Sequence, residues 1–111
     1  MQLYLMKLDY NVVKYIEKIK KSNNYFHTFI NKQSLAAGVL VLQPGEEDNQ
    51  VPHESDEVYF IIKGDGFLKI KNKDYSLEPN KMYFVAKNIE HFFHGNKKEL
   101  VVLYFFGGSD S

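Results

Sequence analysis

The sequence predicts an all-β domain, either a sandwich or a barrel, preceded by one short helix. About eight short apolar runs follow residue 24, and turn residues separate them every several positions. Only one segment, near the N-terminus, has helical periodicity. Apolar residues make up 44% and aromatic residues 15% of the 111 residues, which suits a single small core filled largely by Phe and Tyr.

The predicted N-terminal segment spans residues 1–24 and contains the helix. Apolar residues recur at helical spacing over Asn11–Lys21, with charged residues on the opposite side, and Asn11 is a suitable N-cap. Three earlier apolar residues are expected to pair with a sheet edge: Leu3, Leu5 and Leu8.

The predicted β domain spans residues 25–107. Its predicted strands are Tyr25–Ile30, Leu35–Leu42, Val58–Ile62, Phe67–Lys71, Tyr75–Leu77, Met82–Val85, Glu90–His94 and Leu100–Phe106. The last strand, LVVLYFF, is apolar on both faces, so one face is expected to pack inside and the other against a partner. Because exposed sheet edges also tend to be covered, we expect a homodimer formed sheet to sheet.

Composition excludes several classes of protein. Acidic and basic residues balance at 14 each, which argues against a nucleic-acid partner because such a partner needs a basic face. Cysteine is absent, so disulfides and thiolate metal sites are excluded. No apolar stretch approaches the roughly 18 residues of a spanning helix, and no signal peptide is evident. We therefore expect a cytoplasmic protein that does not contact a membrane.

The stretch from Pro44 to Gly64 carries the strongest functional pattern. After a Pro-Gly turn, an acidic loop leads to His53, and Glu57 follows four residues later at the start of an apolar run. Imidazole and carboxylate groups are ligands for first-row metals, and an extended segment would place both on one face. His91 lies at another junction of loop and strand and is a third candidate ligand.

This stretch resembles the first sequence motif of the cupin family. That motif has a glycine, a polar loop with a His-x-His pair, a glutamate, a hydrophobic strand and a closing glycine. The matching residues here are Gly45, His53, Glu57 and Gly64. Val51 stands where the first histidine of the pair is usual.

Residues 80–91 resemble the second cupin motif, with His91 at the position of the family's histidine. Ala86 and Asn88 replace the usual Pro and Gly, and Gly95 stands where an asparagine is expected. The two motifs and the strands between them cover roughly half of the chain. The resemblance selects the cupin-type double-stranded β-helix, a jelly-roll barrel, from the all-β options.

The resemblance also implies one divalent metal ion (Fe, Mn, Ni or Zn) in the barrel, held by His53, Glu57 and His91. The fourth ligand depends on the loop. In a regular strand Val51 would cap the pocket, whereas in an irregular loop Gln50 would reach the ion with its amide oxygen. Pro52 disfavours a regular strand, and related cupins with glutamine just ahead of a Pro-His step favour Gln50.

Strand parity assigns the residues around the centre. Three residues share inward parity with the ligands and are expected to form the pocket walls: Tyr59, Ile61 and Phe93. Tyr59 could offer its hydroxyl to a substrate or to metal-bound water, and Glu57 could serve as a base; these two are the catalytic candidates. His94 is expected on the opposite face from His91, and His27 in a packed or surface position.

These features predict a small metalloenzyme of the dioxygenase, isomerase or lyase kind that acts on a small polar molecule. Two alternatives remain open. One is a non-catalytic module that binds a metal or a small ligand. The other is a structural barrel with a decayed site, because the first histidine of the motif is missing.

Overall fold

A computed structural model describes residues 7–109 and contains one helix and eight strands in the predicted order. The helix α1 spans Val12–Lys20. The strands are β1 (Phe26–Lys32), β2 (Leu35–Leu42), β3 (Glu57–Lys63), β4 (Phe67–Ile70), β5 (Lys73–Ser76), β6 (Met82–Val85), β7 (His91–His94) and β8 (Leu100–Phe106).

The N-terminal segment contains the predicted helix, whereas its described residues show no pairing with a sheet edge. The Asn11 side chain caps α1 by accepting a backbone N–H of the first turn at 3.2 Å. Residues 7–10 form no strand, and Leu8 is 74% exposed. Leu3 and Leu5 lie outside the described residues. Across residues 7–109, no helix has the length and apolar character that crossing a membrane requires.

Strand β5 begins earlier than the sequence indicated. Lys71 has a φ of 57°, which allows a tight turn with Asn72, and Lys73 then pairs directly with Ile70. Leu77 was predicted as part of this strand. Its backbone N–H instead donates to the carbonyl of Gly66 at 2.9 Å.

The strands form two antiparallel sheets. The larger sheet has the order β1-β2-β8-β3-β6, and the smaller has the order β5-β4-β7. Within the described part of the chain no strand pairing joins the two sheets, so the jelly roll stays open as a sandwich instead of closing into a continuous hydrogen-bonded barrel. The facing sides of the two sheets enclose the main core. Its largest fully buried side chains include Tyr59, Phe93, Leu42, Ile61, Leu68 and Leu100.

A glycine in β2 creates room for a tyrosine of β8. A side chain at Gly38 would place its Cβ 2.3 Å from the hydroxyl of Tyr104. The Tyr104 hydroxyl lies at this glycine and forms a hydrogen bond with Thr28 Oγ1 of β1 at 2.6 Å. Because only glycine leaves this space free, the sequence of β2 fixes where the ring of Tyr104 lies.

The outer face of the larger sheet is partly covered by α1. Ile19 packs against Val39, Val41 and Val101 in a second buried cluster. Part of the outer face of β8, which we expected to contact a partner subunit, is therefore buried within the chain. An apolar area on β6 and β8 remains exposed: Met82 (60%), Phe84 (62%) and Phe105 (36%). The homodimer stays a prediction.

Glu99, just ahead of β8, ties the helix to the sheet. Its carboxylate accepts a hydrogen bond from Gln43 Nε2 at 2.6 Å and forms ion pairs with Lys20 of α1 at 3.0 Å and Lys63 of β3 at 2.8 Å. Burial alone would raise the pKa of Glu99, but these hydrogen bonds and the charge of Lys63 outweigh it and lower the pKa to about 2.

Candidate metal centre

The loop of residues 43–56 is irregular and is fixed at several points. The carbonyl of His53 accepts the backbone N–H of Asn88 at 2.8 Å. Asp56 accepts the N–H of Gly107 with its carbonyl and the N–H of Lys87 with its side chain, both at 3.0 Å. His53 and Glu57 lie close together as expected, but His53 precedes β3, so the contacts of the loop position it and strand parity does not.

The structure brings His53, Glu57 and His91 together from three parts of the fold. Glu57 is the first residue of β3 in the larger sheet, and His91 is the first residue of β7 in the smaller sheet. His53 Nε2 lies 3.1 Å from Glu57 Oε1, and His91 Nε2 lies 2.9 Å from Glu57 Oε2. All three donor atoms fall within 4.8 Å of one another, and Glu57 and His91 are buried.

A backbone contact orients the imidazole of His91. Its Nδ1 donates to the carbonyl of Ile89 at 2.8 Å, so Nε2 points at Glu57. A neutral ring held in this way directs the Nε2 lone pair into the centre, as in many metal sites. Burial lowers the pKa of His91, but the hydrogen bonds to Glu57 and Ile89 and the charges of Glu57 and Asp48 raise it above its usual value.

Tyr59 lies at the middle of the cluster. Its hydroxyl is 2.8 Å from Glu57 Oε2, 2.9 Å from His91 Nε2 and 3.0 Å from Gln50 Oε1. Burial and the neighbouring Glu57 raise the pKa of Tyr59 well above its usual value, so the hydroxyl keeps its proton. The three neighbouring acceptor atoms therefore compete for the single proton of this hydroxyl.

The amide of Gln50 reaches the same centre. Its Oε1 lies 3.2 Å from His91 Nε2, while its Nε2 donates to Asp48 Oδ2 at 2.5 Å. Asp48 also accepts the N–H of Phe93 at 2.8 Å and the hydroxyl of Tyr25 at 2.8 Å. The carboxylate of Asp48 therefore determines which end of the Gln50 amide faces His91. Sequence reasoning missed Asp48, because nothing distinguishes it from the acids that precede it.

The other residues considered from the sequence lie as follows. Val51 is 68% exposed and does not cap the centre. His94 points to the opposite side of β7 and contacts Asp74 Oδ1 at 2.8 Å, and His27 stacks against Tyr15. Ile61 and Phe93, which were predicted as pocket walls, are buried in the core instead and are absent from the lining of the cavity beside the cluster.

One oxygen of Glu57 shows that the cluster suits a cation. Glu57 Oε1 is buried and makes no hydrogen bond, although His53 Nε2 lies 3.1 Å away. An unsatisfied buried acceptor costs about 1–3 kcal/mol. Two imidazole nitrogens, a carboxylate and an amide oxygen converge here with few protons to share. This donor set fits a divalent first-row metal ion.

A cavity of about 330 Å³ opens beside the cluster. Gln50, His53 and Tyr59 line the end next to the candidate ligands. The remaining wall comes from the loop and from strands of the larger sheet: Tyr25, Phe26, Leu40, Asp48, Asn49, Val51, Tyr104 and Phe106. Inward parity along β8 could have identified Tyr104 and Phe106, whereas Tyr25 lies just ahead of a strand.

Comparison with known proteins agrees with this architecture. A family model described as the cupin domain matches residues 38–106. The chain belongs to the cupin family. An uncharacterized protein of Streptomyces coelicolor is 28% identical to this cupin over 83 residues, which cover 75% of this chain and 79% of the relative.

Solved structures share the fold. A cupin with a double-stranded β-helix from Methanocaldococcus jannaschii superposes with a TM-score of 0.70 at 17% identity, covering 76% of this cupin and 79% of that chain. A DMSP lyase from Ruegeria pomeroyi superposes with a TM-score of 0.68 at 21% identity, covering 77% of this cupin and 48% of the lyase. This cupin therefore spans about half the length of the lyase, and identities this low show the fold alone.

Proposed function

We propose that this cupin binds one divalent metal ion through His53, Glu57 and His91, with Gln50 Oε1 as a fourth ligand. We further propose that it is an enzyme of the dioxygenase, isomerase or lyase type. The observation that carries the proposal is the acceptor-rich centre with the unsatisfied oxygen of Glu57. A cation would satisfy that oxygen together with the lone pairs that share the single proton of Tyr59.

The protein would supply binding, orientation and proton control around the ion. When bound, the ion offers Lewis-acid chemistry and a template for a chelating substrate. Tyr59 keeps its proton because its pKa is raised, so it acts as a hydrogen-bond donor toward a substrate oxygen or bound water. Where Gln50 and the two histidines suffice as ligands, Glu57 is free to accept a proton from the substrate.

A second reading, a protein without a resident metal, also has a specific observation in its favour. Glu57 Oε2 and His91 Nε2 lie 2.9 Å apart, and the pKa of His91 is raised. An imidazolium–carboxylate pair with Tyr59 would partly satisfy the cluster without any ion. The molecule would then be a small-ligand module or a structural barrel whose ancestral site has decayed.

Elemental analysis separates these readings. The protein should be purified without an affinity tag or added metal, and again after supplementation with Fe, Mn, Ni or Zn. Near-stoichiometric metal is the expected result. Absence of metal under both conditions would contradict the proposal and favour the structural barrel.

An open coordination position then distinguishes an enzyme from a non-catalytic metal module. We expect the visible spectrum of the Co²⁺-substituted protein to change when acetohydroxamate is added, because three or four protein ligands leave positions free. A spectrum that stays unchanged at saturating acetohydroxamate would indicate a closed site and favour the binding module.

A further inference from the structure

We infer that the substrate of this centre combines a chelating polar head with an uncharged, apolar body about the size of a substituted benzene ring. The inference of a chelating head rests on the proposed metal function, whereas the inference of an apolar body rests on the cavity alone. The sequence predicted a small polar molecule, and this inference assigns the polar character to the head of the substrate.

The position and size of the cavity set the dimensions of the body. Gln50, His53 and Tyr59 belong to both the candidate centre and the cavity wall, so a molecule bound at the centre continues into the cavity. Phe26 (46% exposed) and Val51 (68% exposed) mark its mouth. An apolar cavity of about 150 Å³ holds benzene. A volume of about 330 Å³ therefore has room for one ring with substituents.

The chemistry of the wall makes an apolar body favourable. Beyond Tyr59 at the metal end, four aromatic side chains line the cavity together with Leu40: Tyr25, Phe26, Tyr104 and Phe106. Both tyrosine hydroxyls already have protein partners: Tyr25 donates to Asp48 Oδ1 at 2.8 Å, and Tyr104 pairs with Thr28. The wall therefore offers mainly hydrocarbon contacts, and burial of an apolar group there releases free energy.

The charges around the cavity disfavour an anionic body. Among the residues that the structure describes, no lysine lines the cavity, and the chain contains no arginine. Asp48 is the acidic residue of that described wall, and its charge would repel an anion. Burial and the charge of Asp48 also raise the pKa of Tyr25, so this tyrosine stays neutral and keeps donating to Asp48. An anionic group on the body that loses its water beside this wall finds no lysine or arginine among the described wall residues, which is costly.

Three hydroxamates with the same chelating head test the inference on the full-length Co²⁺-loaded protein. Acetohydroxamate carries only a methyl group, benzohydroxamate carries a phenyl ring, and 4-carboxybenzohydroxamate carries a ring with an anion. Dissociation constants come from the visible spectrum, and each is divided by the dissociation constant of that hydroxamate for free Co²⁺ in buffer. We expect benzohydroxamate to bind about tenfold or more tighter than acetohydroxamate, from burial of the ring. The added carboxylate should abolish that gain.

A charge introduced at the mouth provides a matched test. Phe26→Lys should weaken benzohydroxamate and strengthen 4-carboxybenzohydroxamate, each by about fivefold or more, and leave acetohydroxamate unchanged. Phe84→Lys, at a still more exposed aromatic residue (62% against 46%) on the outer face, should change none of the three. Equal affinities for all three probes in the wild type, or no response to Phe26→Lys, would overturn the inference while the metal proposal stands.

The cavity can also be tested without a metal. In the metal-free protein, benzyl alcohol should shift the NMR signals of Leu40 and Tyr104, whereas benzoate at the same concentration should not. Shifts from benzoate as large as those from benzyl alcohol would refute the inference even if no metal binds. Failure of Co²⁺ to bind, with selective shifts from benzyl alcohol, would remove the proposed metal function and keep the apolar cavity as a ligand site.

Discussion

Asp48→Asn is the most informative single substitution, because Asp48 lies behind the centre and is not itself a candidate ligand. Its carboxylate accepts the side-chain N–H of Gln50, the backbone N–H of Phe93 and the hydroxyl of Tyr25. Replacing one carboxylate oxygen by an NH₂ group puts a donor where an acceptor is needed. With NH₂ at the Oδ2 position the Gln50 amide loses the contact that directs its oxygen toward His91, and with NH₂ at the Oδ1 position that contact keeps its oxygen acceptor but loses the negative charge that strengthens it.

The structure sets the size of the expected effect. A hydrogen bond to a charged group contributes about 1.5–3 kcal/mol, and Asp48→Asn removes at least one of these bonds. We expect a loss of about 1.5–3 kcal/mol in the free energy of unfolding. Loss of a group that orients a metal ligand typically weakens metal affinity about 10–100-fold, and we expect Asp48→Asn to do so.

Urea unfolding of the metal-free protein and Co²⁺ titration measure the two effects separately. Asp65→Asn is the matched control. Asp65 Oδ1 accepts the backbone N–H groups of Lys97 and Lys98 at 2.9 and 3.0 Å, and Asp65 follows the end of β3 opposite to Glu57. The Asp65→Asn substitution should lower the free energy of unfolding and leave the affinity for the metal unchanged. If Asp48→Asn retained full metal affinity, or if Asp65→Asn lowered it equally, the proposed orientation of Gln50 by Asp48 would be refuted.

Three further predictions address the ligand loop, pH and assembly. Gln50→Ala should weaken metal retention while Val51→Ala leaves it nearly intact; the reverse pattern in a competition assay would show that Val51 faces the ion. The folded pKa of Glu99, about 2, is below its ordinary 4.5, so its stabilisation is present above about pH 4.5 and lost as pH falls toward 2. Glu99→Gln should therefore destabilise the protein by about 1–2 kcal/mol at pH 7, after allowance for screening, and by little at pH 2 in urea titrations. Light scattering should give the mass of a dimer at micromolar concentration and of a monomer for Phe84→Lys; a monomeric wild type would rule out the predicted homodimer.

The order of the strands and the candidate ligands could be predicted from the sequence because both depend on local signals. Turn residues and apolar runs mark the strands, and the two motifs mark His53, Glu57 and His91. Pro52 disfavoured a regular strand by a local effect on the backbone, and the resemblance to related cupins then favoured Gln50 over Val51. In the structure Gln50 Oε1 lies 3.2 Å from His91 Nε2 and Val51 is 68% exposed, so Gln50 as a ligand stays a prediction that the positions of both side chains allow.

The features that the sequence did not predict depend on contacts between segments that are distant in the chain. Glu46, Glu47 and Asp48 are equivalent acids in the sequence, and only the positions of Tyr25 and Phe93 give Asp48 its partners. The cavity likewise depends on pairing, since the register of β1 and β2 places Phe26 opposite Leu40. Nor does the sequence of β8 show that α1 covers part of its outer face.

Metal-dependent thermal stability tests the central claim most directly. A ligand that binds only the folded state stabilises it by about 2.7 kcal/mol at a free concentration of 100 times its dissociation constant. For a domain of this size that corresponds to a rise in melting temperature of about 10 °C. We expect this rise when Co²⁺ or Zn²⁺ is added to the chelator-treated wild type and to His94→Ala, and no rise for His91→Ala. A His91→Ala protein that is stabilised like the wild type, or a wild type that no divalent metal stabilises, would contradict the account.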